Sequence, residues 1–169
     1  KKSGFIAMAA VTLHVYDLSG GLARQMSQAF IGKQIDGVWH TGVVVYGREY
    51  FFGGGIQNGV PGRTPYGSPV ERVPLGETHI PEEVFEEFIQ DISSRFSVHN
   101  YDLLDNNCNN FSAEASLFLT GNSIPAHITG LPAEVLNTPM GGMLRQMLSR
   151  VQGQAGPAFG APTGPAART

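Results

Sequence analysis

The sequence predicts an α+β domain, a small antiparallel sheet packed with helices. Three observations carry this. Residues 11–16 (VTLHVY) alternate apolar with polar, and residues 38–46 (VWHTGVVVY) are rich in β-branched and aromatic side chains, so both read as strands. Gly47 separates the second of these from residues 48–52 (REYFF), which makes a hairpin and hence an antiparallel pair. Helical stripes follow the hairpin instead of alternating with strands, and the order strand, helix, hairpin, helix, helix is that of an α+β chain.

Each element has a local reason. In the first strand Val11, Leu13 and Val15 share one face, with Thr12, His14 and Tyr16 on the other. Asp17-Leu18-Ser19-Gly20-Gly21 is a turn. Leu22–Ile31 carries Leu22, Met26, Ala29 and Phe30 at helical spacing, and Gly32 is its stop. Residues 53–67 hold six glycines and two prolines and read as a loop, and residues 69–73 as a short strand. Pro81 opens the clearest helix; Glu82 and Glu83 complement its positive end, and Val84, Phe85, Phe88, Ile89, Ile92 and Phe96 form a wide apolar face. A further helix begins near position 108, with Phe111, Ala115, Phe118 and Leu119 on one face and Gly121 at its stop. Ile124-Pro125 gives an extended exit, and two short helices are expected over 132–136 and 139–151.

With 169 residues the chain can bury one real core. It is 41% hydrophobic and 15% charged, a globular balance. A net charge of −3, with no basic run longer than Lys1-Lys2, gives no electrostatic support for nucleic acid or a membrane surface as partner. No apolar run approaches the roughly 18–20 residues of a membrane span. A single cysteine forbids an internal disulfide and suits a reducing compartment, so a cytoplasmic or nuclear site is expected. Residues 1–8 read as a leader. Its short apolar part is broken by Ser3-Gly4 and is not a secretory signal, and Met8 is a candidate native start that would make residues 1–7 foreign to the natural chain. From 153 to 169, seven of 17 residues are Gly or Pro and only Phe159 is large and apolar, so a disordered tail is expected from 152 on, leaving a domain over 9–151.

The lone Cys108 lies between two pairs of asparagines, Asn106-Asn107 and Asn109-Asn110, at the start of a predicted helix. The unpaired N–H groups and the dipole there favour thiolate over thiol, which is the nucleophilic form. The alternative is an inert buried thiol with asparagines that serve as caps. A nucleophilic thiol needs a base, most often His. Of five histidines, His40 stands out as a polar residue inside an apolar strand, sharing a face with Val38, Gly42 and Val44; it is either a satisfied core histidine or a group aimed at something. His14, His79, His99 and His127 have weaker settings. The glycine-rich FFGGGIQNGVPG lacks a following Lys-Ser or Lys-Thr, so it is no phosphate loop; its glycines serve turns or let a substrate backbone come close. No metal-ligand spacing occurs, Glu82, Glu83, Glu86 and Glu87 form a solvated helix face, and no cofactor is expected.

HVYDLSGGLAR, GKQIDGVWHTGVVV, EYFFGGGI, YDLLDNNCNNFS and LPAEVLNTPMGGML run in this order through the chain. In these segments the sequence resembles the PPPDE family, permuted papain-like cysteine peptidases whose best-known eukaryotic members are desumoylating isopeptidases. The resemblance implies a permuted papain-like fold and a Cys–His dyad in which His40 of WHT is the base and Cys108 of NCN the nucleophile. It implies conjugates of a SUMO-like or ubiquitin-like modifier as partners, and a homodimer with its active site in a groove at the subunit interface. Backbone N–H groups at the helix start, with the Asn107 amide, are the expected oxyanion donors. Because such modifiers end in Gly-Gly, Gly53, Gly54, Gly55 and Trp39 are expected to form a narrow slot. The alternatives are a deubiquitinase or S-acyl thioesterase with the same dyad, or a non-catalytic interaction module.

Overall fold

The computed structural model describes residues 7–102, 104–138 and 142. In chain order the elements are β1 (Ala9–Asp17), α1 (Leu22–Ile31), β2 (Trp39–Val45), β3 (Arg48–Gly53), β4 (Gly55–Gly59), β5 (Glu71–Thr78), α2 (Glu82–Ile92), α3 (Cys108–Thr120), α4 (Ala126–Thr129) and α5 (Leu131–Leu136). The strands form one sheet, ordered β4-β3-β2-β1-β5 and antiparallel throughout.

Strand alternation sorts the sheet into two faces. Val11, Leu13, Val15, Val43, Val45, Tyr50 and Phe52 point to the side where α2 and α3 supply Phe85, Ile92, Phe111, Ala115 and Leu119, and together they form the core. Its aromatic rings meet edge to face: Tyr50 on Phe85 at 5.0 Å and Phe52 on Phe96 at 5.2 Å. Each such side chain withdrawn from water contributes about 1.5–3 kcal/mol. The opposite face is polar yet also buried, carrying His14, Tyr16, His40 and Glu49.

The link from β1 to β2 is set by one carboxylate. Asp17 Oδ1 accepts the N–H groups of Ser19 (2.9 Å) and Val38 (3.0 Å), and Oδ2 that of Gly21 (2.9 Å). This closes the turn and starts β2 beside the end of β1.

Three expectations are corrected. The stretch read as a loop contains β4: Gly53 faces Gly55 across a tight reversal, and Ile56, Gln57 and Asn58 pair with Phe52, Phe51 and Tyr50. Glycine and asparagine have low strand preference, which hid it. β5 runs beyond 69–73 to Thr78, passing Pro74 and a register shift opposite Val11 and Thr12; as an outer strand it tolerates a residue without N–H. The stripe on α1 faces outward, with Leu22, Met26 and Phe30 exposed and Ser27 its buried residue. Polar ties hold that helix instead, since Ser27 Oγ accepts the Ile35 N–H at 2.7 Å. The expected helix over 139–151, apart from Gly142, the tail from 152 and the leader up to residue 6 lie outside the described residues.

Candidate active site

The start of α3 is fixed by a reciprocal cap. Asn107 Oδ1 accepts the N–H groups of Asn109 (2.9 Å) and Asn110 (3.2 Å), while the Asn107 N–H donates to Asn110 Oδ1 (2.8 Å). Cys108 is thereby the first helical residue. The amide oxygen of Asn107 is thus committed to capping the helix, and a donor role toward substrate would fall to its Nδ2. Of the first N–H groups of α3, those of Asn109 and of Cys108 itself act on the Cys108 sulfur.

The thiol is 3% exposed and donates to Asn109 Oδ1 at 3.7 Å. Burial pushes its pKa up; the N–H groups of Thr41, Asn109 and Cys108 and the Tyr101 hydroxyl pull the other way and do not prevail. His40 is 2% exposed and lies on the polar face of the sheet. Tyr66 stacks on its ring with centroids 3.5 Å apart, and Tyr16 and Phe51 flank it at 5.7 and 6.0 Å. Burial lowers its pKa from 6.5 to about 3, and its Nε2 has no hydrogen-bond partner among the described residues. Burial thus favours the neutral form of both groups in this closed arrangement, against the thiolate that a helix start favours.

A gap in strand pairing brings the two residues to one short stretch. β2 pairs with β1 over residues 39–44, from Asp17 opposite Trp39 to Thr12 opposite Val44. Its pairing with β3 covers only residues 43–45. Residues 39–42 thus have an open seam on the β3 side, and the sulfur lies there, against the N–H of Thr41. Tyr66 adjoins both groups: its ring covers His40, and its phenol is pushed up to about 12 by burial and by the charge of Cys108. No hydrogen bond joins the imidazole to the thiol among the described residues.

The remaining predicted residues surround this seam unequally. A Cβ at Gly53 would stand 3.0 Å from the Tyr66 hydroxyl. Gly54 is the hairpin tip, where a Cβ would meet only Gln57 Nε2 at 3.6 Å, and Gly55 has φ +87, which favours glycine. Trp39 is half-buried, its ring edge-on to His127 at 6.3 Å, and it lines a cleft of about 280 Å³ with Asp17, Gly21, Arg24, Asp36 and Val70. The space beside His40 at Gly42 is filled by Glu49, whose Oε1 would lie 2.5 Å from a Cβ there. Among the described residues no three His, Cys, Asp or Glu side chains converge as a metal site, and no helix is long and apolar enough to cross a membrane.

Sequence reasoning missed Thr41, Asn109, Ser112 and Tyr66. Thr41 Oγ1 lies 2.8 Å from both Asn109 Oδ1 and Ser112 Oγ, and Asn109 Nδ2 donates to the Trp39 carbonyl at 3.0 Å. The adjacency of Thr41 to His40 and of Asn109 to Cys108 was a signal for two of them. Tyr66, in the Gly/Pro-rich stretch, gave none.

A family model described as "PPPDE putative peptidase domain" matches residues 9–149. The chain is 47% identical over 159 residues to Desumoylating isopeptidase 1 of Xenopus laevis, covering 92% of this chain and 94% of that protein. It is 48% identical over 158 residues to Desumoylating isopeptidase 1 of Homo sapiens, covering 91% and 94%. The DeSI-like protein sdu1 of Schizosaccharomyces pombe is 31% identical over 129 residues, covering 70% and 61%.

Proposed function

Because the chain belongs to the PPPDE peptidase family, we propose that it is a cysteine isopeptidase that removes SUMO from lysine side chains through a dyad of Cys108 and His40. The observation that carries this reading is the open seam of β2, where the thiol lies against the residue that follows His40. Two further features support it. The imidazole has a ring nitrogen with no structural partner, and the named relatives are desumoylating enzymes. The order of His on a strand before Cys on a helix supports the permuted papain-like arrangement.

In the proposed reaction, substrate entry displaces Tyr66 from His40 and rehydrates the ring. The imidazole then takes the thiol proton, and the thiolate attacks the isopeptide carbonyl. In this reading the N–H of Cys108 donates to the developing oxyanion. The C–N bond breaks as the imidazolium protonates the departing lysine amine. Water, deprotonated by the same imidazole, cleaves the thioester and returns the free thiol with the modifier's carboxylate.

A panel of propargylamide probes made from SUMO and from ubiquitin tests the reading. SUMO probe should label the wild type and not Cys108→Ser. Labelling by the ubiquitin probe alone would make the protein a deubiquitinase, reaction only with S-acyl substrates a thioesterase, and no reaction with any acyl probe an interaction module. The glycine slot has its own test: Gly54→Val should abolish SUMO cleavage with the fold intact, since no neighbour obstructs the new side chain at its root. We also propose a homodimer, testable by sedimentation velocity, and a cytoplasmic or nuclear site, testable by fractionation.

A further inference from the structure

Asn109 is 7% exposed, and its side-chain hydrogen bonds converge on the seam. Its Nδ2 donates to the Trp39 carbonyl at 3.0 Å, and its Oδ1 accepts from the Thr41 hydroxyl at 2.8 Å and from the Cys108 thiol at 3.7 Å. The carbonyl can only accept, so it fixes which way the amide points: nitrogen to Trp39, oxygen to Thr41 and the sulfur. Trp39 and Thr41 are the two chain neighbours of His40. Ser112, one turn along α3, holds the other side of the Thr41 hydroxyl at 2.8 Å.

Strand pairing would ordinarily do this work. On the seam, β3 has left β2, and the amide of Asn109 takes its place. One side chain therefore links the segment that carries the imidazole to the helix that carries the thiol.

We propose that Asn109 is a positioning residue that sets the spacing between His40 and Cys108 by gripping β2 on both sides of the histidine. It moves no proton and binds no substrate. Without it the thiol would stay on its helix and the imidazole on its strand, but their mutual placement would loosen. A misplacement on the order of 1 Å costs about 100-fold in rate. The inference rests on the dyad proposed above.

The test is a double-mutant cycle in the full chain between Asn109→Ala and His40→Ala. It is read as kcat and KM on a SUMO conjugate and as the rate of Cys108 alkylation by iodoacetamide across pH. The chain has one cysteine, so alkylation reports a single site. Asn109→Ala should lower kcat by about 10- to 100-fold with KM changed by less than about 3-fold, and should displace the pH profile of alkylation. Added to His40→Ala it should cost almost nothing more, because the spacing it sets no longer matters. A folded Asn109→Ala with wild-type kcat and alkylation profile would overturn the proposal, as would a loss that adds in full to that of His40→Ala. Should Asn109→Ala not fold, Thr41→Val breaks one grip and carries the same cycle. If His40→Ala itself keeps its activity, the dyad reading falls; if His40→Ala is dead while Asn109→Ala and Thr41→Val are silent, only the positioning role falls.

Discussion

Glu49 and His40 sit on the same face of the same sheet, one strand apart, and both are buried, at 0% and 2% exposure. Their surroundings differ completely. The Glu49 carboxylate is saturated: Tyr16 donates to Oε1 at 2.7 Å, the Gly62 N–H to Oε2 at 2.8 Å, and His14 Nδ1 lies 3.1 Å from Oε2. His40 has Tyr66 stacked on it, Tyr16 and Phe51 beside it, and an Nε2 with no hydrogen-bond partner among the described residues. A buried polar group that is fully partnered holds the fold, whereas one left open is held ready for a partner that arrives later. Glu49 also pins the β4–β5 loop through Gly62, and Tyr66 of that loop covers His40. The saturated site thus steadies the cover of the open one.

The contrast can be broken at either end. The largest effect is expected at the open site. Cys108→Ser and His40→Ala should each lower kcat/KM by about 100- to 10,000-fold or more in a SUMO-conjugate cleavage assay, and His40→Gln, which keeps most of the buried volume, should leave the melting temperature at pH 7 little changed. A loss of stability there comparable to that at Glu49 would erase the distinction. At the saturated site, Glu49→Ala strands a hydroxyl, an N–H and an imidazole nitrogen, and should cost about 3–5 kcal/mol in urea unfolding. Gly42→Ala should follow at about 1–3 kcal/mol. Its Cβ would press on Glu49 Oε1, the end of a side chain that would ordinarily yield but here is tethered at both oxygens.

The smallest effect is a pH slope. His40 has a folded pKa of about 3, below its unfolded value of 6.5. Between those limits the unfolded chain binds the proton and the folded one does not. Stability is therefore complete above pH 6.5 and falls as the pH drops from there toward 3, by about 1.4 kcal/mol per pH unit. Thermal melts from pH 7 to pH 5 should show this slope in the wild type and a shallower one in His40→Gln. Equal slopes would mean that the imidazole finds water without unfolding.

The candidate site was legible wherever its residues were local exceptions. Cys108 stood out by its asparagine frame, and His40 by interrupting an apolar strand. The cap at Asn107 followed the same local rules, since Asn is a preferred residue at a helix start. What could not be read was whatever depends on distant packing. Asn107 and Asn109 look alike in sequence; only the docking of α3 onto β2 turns one to its own helix and the other to Trp39 and Thr41. The preference of both groups for their neutral forms needs the depth of burial, which spacing does not encode. On α1, periodicity identified the helix correctly but not the direction of its stripe, because ties through Ser27 to Ile35 decide it. β4 was concealed by the glycines that make its reversal possible.

The two outer strands of the sheet carry a consequence for behaviour in concentrated solution. β4 spans five residues and both begins and ends with glycine, while β5 includes Pro74 and a shift of register. Neither offers a neighbouring molecule a long, regular row of donors and acceptors, so sheet-to-sheet polymerisation finds no template at either border. The chain can keep a stretch of unpaired strand in its interior because the borders, where such a stretch would invite aggregation, are blunted.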